Sequence, residues 1–144
     1  MVRGNVKIEQ IGDMKFQILE SDLVFANDEV MIEVHSGWYT DGGSVPRLLW
    51  NILPPFGTKE FKAYILHDSL WEMRCKFKGM YSMEFTNAVL EQANKECGVS
   101  WWRRKLIQLG VSKWTYFAWK KWNNPSKEVR DWHKDIITIK WSKQ

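Results

Sequence analysis

At 144 residues, with 44% hydrophobic and 15% aromatic side chains, the chain is too rich in core-formers to be disordered and long enough to bury a core of its own. No apolar run approaches the roughly 18 residues that a membrane span needs, and MVRGNVKIEQ lacks the apolar stretch and cleavage site of a secretory signal. The formal charge of +4 is unevenly spread, because residues 1–60 carry five basic and nine acidic side chains whereas residues 61–144 carry sixteen and eight. One domain over residues 1–144 is expected, in the cytoplasm of the cell that makes it.

Taken in chain order, VKIEQI, KFQILE, LVFAN and VMIEVHSGWYT are short β-branched or aromatic runs, separated by Gly12-Asp13, Ser21-Asp22 and Asn27-Asp28-Glu29. Turn chemistry between such runs predicts an antiparallel meander. The paired glycines of Asp41-Gly42-Gly43 stop the strand pattern. Ser44-Val45-Pro46 then opens a short helix, PRLLWNIL, which Pro54-Pro55 ends. A second helix is expected from a Thr58 cap to about Phe77, with Glu60 near its positive end and Gly79 beyond it. The third spans Ser82 to Cys97 before Gly98, and the fourth runs from Ser100 to about Trp122. The alternation in DIITIKW predicts a strand that returns to the sheet. The fold class is therefore α+β: an N-terminal antiparallel β-meander, then a helical body of about four helices, with a C-terminal strand rejoining the sheet.

Cys75 and Cys97 fit neither a zinc knuckle nor a disulfide scaffold, and read as buried thiols. His35, His67 and His133 are too scattered for a metal signature within one helix. The adjacent pair His67 and Asp68 is the more informative feature. His67 shares a stripe with Ala63, Tyr64, Leu70 and Trp71, and Asp68 shares one with Phe61, Tyr64, Ile65 and Trp71, so both lie on or beside an apolar face. That placement is costly unless partners answer it. Candidate partners are the backbone N–H groups of Asp41, Gly42, Gly43 and Ser44, the guanidinium of Arg47, and Asn87 on the third helix. A histidine held in an apolar cleft by a hydrogen-bonded neighbour suits a general base, and an equally natural outcome is a polar clasp that ties a loop to a helix.

The run TDGGSVPRLLWNILPPFG, followed by AYILHDSLW and later by NAVLEQANKECGVSWWRRKLIQLGV, resembles a family of small phage and prophage proteins of unknown function. Its pattern is T-D-G-A-S-[VI]-P, then A-x-x-H-D-x-L-Y, then a helix bearing an aspartate, then G-V and a basic helix. The resemblance covers Gly37 to about Trp122. Thr40, Asp41, Gly42, Ser44, Val45 and Pro46 fall on the loop motif, with Gly43 in place of alanine. His67, Asp68 and Leu70 fall on the helix motif, with Trp71 in place of tyrosine and Asn87 in place of the third-helix aspartate. The likeness implies a phage or prophage origin, in the producing host cell or associated with the virion, and carries no activity.

The His-Asp helix is also similar to the core of phospholipases A2. That similarity implies His67 as general base, Asp68 and Asp41 as ligands of a Ca²⁺ ion beside the glycine turn, and Asn87 as the residue that orients the ring. Two functions follow from these residues. One is a small hydrolase in which His67, Asp68 and Asn87 form the catalytic set, with Asp68 and the Asp41-Gly43 turn binding either a cation such as Ca²⁺ or a developing oxyanion. The alternative is a non-catalytic virion or assembly component, or a binder of a host factor, with His67 and Asp68 as a clasp.

In either case the basic surplus interleaved with tryptophan marks a contact surface: Trp101, Trp102, Arg103, Arg104, Lys105, Lys120 and Lys121, with Trp71 beside the pair. Its texture suits an anionic partner, whether phospholipid, host protein or virion protein, and less well nucleic acid, since no helix-turn-helix, zinc or RNA-recognition motif is found. A plainer reading makes the same segment a solvated basic face with its tryptophans packed beneath.

Overall fold

The computed structural model describes residues 1–13, 15–40, 51–53, 58–74, 79–122 and 136–142, with side chains up to residue 112 in the last helix. In order, the elements are β1 (Val2–Arg3), β2 (Val6–Gly12), β3 (Lys15–Ser21), β4 (Val24–Ala26), β5 (Val30–Val34), β6 (Tyr39–Thr40), α1 (Phe61–Met73), α2 (Met83–Glu96), α3 (Trp101–Trp122) and β7 (Ile137–Trp141). The fold is α+β, and the C-terminal strand does return. The expected helix PRLLWNIL lies almost wholly outside the described residues, of which 51–53 form a turn and bend.

The expected meander is instead two small sheets, ordered β1-β4-β5-β7 and β2-β3-β6, with every pairing antiparallel. The reason lies in VMIEVHSGWYT, which is not one strand. Gly37 takes a φ of 90°, a left-handed conformation that a side chain disfavours, and the chain turns there. β5 therefore stays beside β4 and β7, while the residues after the turn cross to β3. Bonds from Gly37 N to Ile18 O at 2.8 Å and from Ile18 N to Trp38 O at 2.9 Å fix the crossing. Trp38 plugs the seam, fully buried, with its indole N–H donated to His35 O at 2.8 Å.

β5 shows the period-two pattern of a half-buried strand: Val30, Ile32 and Val34 are buried while Met31 and Glu33 are not. β7 pairs along all of β5, from Val30 opposite Trp141 to Val34 opposite Ile137. His35 Nε2 lies 2.7 Å from Thr138 Oγ1, which adds a side-chain tie at the end of the ladder.

On the other side of the core, α1 and α2 run antiparallel. Tyr81, just before α2, donates its hydroxyl to Leu70 O near the end of α1 at 2.6 Å. Ile65, Leu66 and Leu70 of α1, Val89, Leu90 and Ala93 of α2, and Ile107 of α3 join Phe25, Ile32 and Ile137 from the sheet in one apolar cluster. α2 begins as expected: Ser82 accepts the Phe85 N–H at 3.2 Å. Ser82→Ala should lower stability by about 1 kcal/mol, measured by urea unfolding. α2 ends at Cys97, where bonds from Gly98 N to Lys95 O and Val99 N to Asn94 O close the last turn, and Gly98 supplies the φ of 74°.

Helix α1 departs from expectation at both ends. Its N-cap position is Glu60, and Thr58 contributes only its carbonyl, which accepts the Phe61 N–H at 3.1 Å. At the other end α1 stops at Met73. Arg74 N turns back to Trp71 O at 3.3 Å, and Arg74 Nη1 donates to the same oxygen at 2.5 Å, so the final turn tightens and its carbonyl is occupied.

Candidate functional site

Three elements meet at the His67-Asp68 pair. α1 places His67 among buried neighbours because Ala63, Tyr64 and Leu70 share its side of the helix. With only 9% of its surface exposed, the imidazole brings Nε2 to 3.1 Å from Asn87 Oδ1 on α2. In the tautomer that donates Nε2–H to that oxygen, the lone pair lies on Nδ1. The main-chain carbonyl of Asn87 accepts from Gln108 Nε2 on α3 at 3.2 Å, so Asn87 links all three helices. Trp71, one turn on, lies nearly parallel to the imidazole, with ring centroids 6.4 Å apart, and the Arg74 guanidinium covers the indole at 4.5 Å. Burial holds the His67 pKa below its ordinary value, and the Asn87 hydrogen bond opposes that shift. At neutral pH the ring is therefore uncharged.

Asp68 faces the sheet instead. Its Oδ2 accepts the hydroxyl of buried Thr40, at the end of β6, at 2.6 Å. β6 is held in place by pairing with β3, Phe16 opposite Thr40 and Gln17 opposite Tyr39. The neighbours His67 and Asp68 thus point to different partners: one ties α1 to α2, the other ties α1 to the small sheet.

Of the residues singled out in the sequence, the structure brings His67, Asn87 and Trp71 together and turns Asp68 toward Thr40. Asp41, Gly42, Gly43, Ser44 and Arg47 lie outside the described residues, as does any pairing of Asp41 with Asp68 around a cation. The residue before Asp41, Thr40, does reach Asp68, and the sequence marked it only as the first letter of the loop motif. Among the described residues no group of three His, Cys, Asp or Glu side chains is placed to hold a metal ion. Cys97 is a free, half-buried thiol whose pKa is raised, mainly by burial. Cys75 lies outside the described residues.

The basic segment is arranged the opposite way to the plainer expectation. Trp101 and Trp102 are 67% and 50% exposed, whereas both arginines turn inward. Arg103 Nε sits 2.9 Å from Oε1 of Glu60, a carboxylate only 1% exposed, and Arg103 Nη2 donates to Ile52 O at 2.8 Å. Arg104 Nη1 bonds Glu91 Oε1 on α2 at 2.5 Å. Lys105 is exposed, and Lys120 and Lys121 belong to α3 with side chains outside the described set. The Glu60 partnership was not foreseen; its only trace in the sequence is an acid at the first turn of an apolar helix.

Residues 17–111 match the family model described as "Protein of unknown function (DUF1353)", about two thirds of the chain. No curated protein and no solved structure matches it.

Proposed function

The chain belongs to the DUF1353 family of proteins of unknown function, and on that premise we propose that it is a non-catalytic phage- or prophage-encoded binding protein. It acts as a virion or assembly component or as a binder of a host factor, in the producing cell or in the particle. Its contact surface is α3, and His67 and Asp68 serve as a clasp. One observation carries this reading: the polar heads of both residues are engaged in holding elements together, Asp68 by Thr40 and His67 by Asn87. Through Nε2 the buried imidazole bonds the neighbouring helix, as a histidine that ties two helices together does.

The clasp is tested by a double-mutant cycle. Thr40→Val and Asp68→Ala should each lower stability, with a coupling of about 1–2 kcal/mol in urea unfolding, because a charged acceptor strengthens the hydrogen bond. Additive effects would remove the clasp.

The hydrolase reading keeps one observation in its favour, the Asn87 contact, which orients the ring and leaves the Nδ1 lone pair as a base. Here Asn87 supplies orientation without the charge of the aspartate expected at that place. Assay of the parent protein on phospholipid vesicles with calcium separates the two readings: the clasp predicts no turnover, and turnover lost in His67→Gln at unchanged stability would restore the enzyme.

A further inference from the structure

Over residues 101–112, helix α3 turns two arginines inward and several large apolar side chains outward. Arg103, Arg104, Ile107 and Val111 recur at helical spacing on its inner side, where the two guanidinium groups reach Glu60 and Glu91. The outer side carries Trp101, Trp102, Lys105, Leu106 and Leu109, with the leucines 40% and 57% exposed.

Charge narrows the choice of partner. The 22 residues of α3 include six Lys or Arg and no Asp or Glu. With both arginines balanced internally, the remaining charge is lysine, and Lys105 stands within the apolar patch with no acidic partner among the described residues. An acid-free helix of this kind complements an anionic surface. A nucleic acid would stack on the tryptophans but would find the arginines committed to carboxylates, and it offers nothing to Leu106 and Leu109. A bilayer interface accommodates every part: indoles at headgroup depth, leucines among the upper acyl chains, lysine at the phosphates.

Resting on the reading of α3 as the contact face, we propose that this helix docks on the surface of a bilayer containing anionic phospholipid. Trp101, Trp102, Leu106 and Leu109 enter the interface and Lys105 meets the headgroup phosphates. No helix among the described residues is long and apolar enough to cross a membrane, so the contact is peripheral.

The test is co-sedimentation of the full chain with vesicles of one part phosphatidylglycerol to two of phosphatidylcholine, alongside vesicles of phosphatidylcholine alone and a single-stranded oligonucleotide. The parent is expected to sediment with the anionic vesicles, with a blue shift in tryptophan emission, and more weakly with the neutral ones. Leu106→Gln with Leu109→Gln should weaken that binding at least tenfold while leaving the thermal midpoint unchanged, since both side chains are exposed. Failure to bind anionic vesicles, binding unaltered in the folded double variant, or a preference for the oligonucleotide that the double variant abolishes would each overturn the proposal. The Thr40–Asp68 cycle reads stability alone, so a negative vesicle result leaves the clasp standing.

Discussion

Arg103→Met is expected to lower the free energy of unfolding by about 3–5 kcal/mol, because it strands the Glu60 carboxylate in the core without its cation. Glu60 is 1% exposed, at the position where the chain enters α1, and Arg103 reaches it from the first turn of α3. The pair therefore decides how α3 sits on the rest of the molecule. Tyr64, one turn beyond Glu60, feels the same field: burial first, and the Glu60 charge second, push its phenol far above its ordinary value, with Arg103 opposing. Glu60→Leu combined with Arg103→Met removes both charges and should recover most of the loss, since a buried ion pair and an apolar pair of similar volume are often nearly equal in stability. Urea unfolding of the two single variants and the double variant measures this. If Arg103→Met alone costs under about 1 kcal/mol, the pair is behaving as a solvated surface bridge and does not anchor α3.

That anchoring also explains what the sequence could and could not disclose. Strands VKIEQI and KFQILE, the Ser82 cap, the Gly98 stop and the returning DIITIKW strand were all legible, because each depends on local pattern: alternation, a capping hydroxyl, a glycine at positive φ. The split into two sheets was not. It turns on the left-handed Gly37 and on Trp38 choosing β3 as neighbour, and long-range pairing leaves no periodic trace.

In WWRRK the difficulty is sharper. Composition favours arginine outside and tryptophan inside, but Glu60 on α1 and Glu91 on α2 draw Arg103 and Arg104 inward, and the helical period then turns Trp101 and Trp102 out. Partners on other helices, 43 residues away for Arg103 and 13 for Arg104, decided the orientation, whereas the placement of His67 against Asn87 was within reach, since each residue interrupts an apolar helix face.

The imidazole at that site gives the chain a pH response whose sign can be worked out. Burial holds the folded-state pKa of His67 below the value of 6.5 that it has in the open chain. As pH falls below about 6.5, the unfolded chain binds a proton that the folded chain refuses, so the unfolded state gains. Stability is complete above that pH and declines on acidification by at most about 1.4 kcal/mol per pH unit, until the folded-state pKa is reached. Urea unfolding between pH 5 and 8 should show this decline in the parent, above the range where carboxylates dominate. His67→Gln can still donate to Asn87 and does not titrate, so its curve should be flat over the same interval. An undiminished slope in that variant would place the acid sensitivity elsewhere. A flat curve in that variant would assign the acid sensitivity to His67, and with it to the neutral ring that Asn87 holds between α1 and α2.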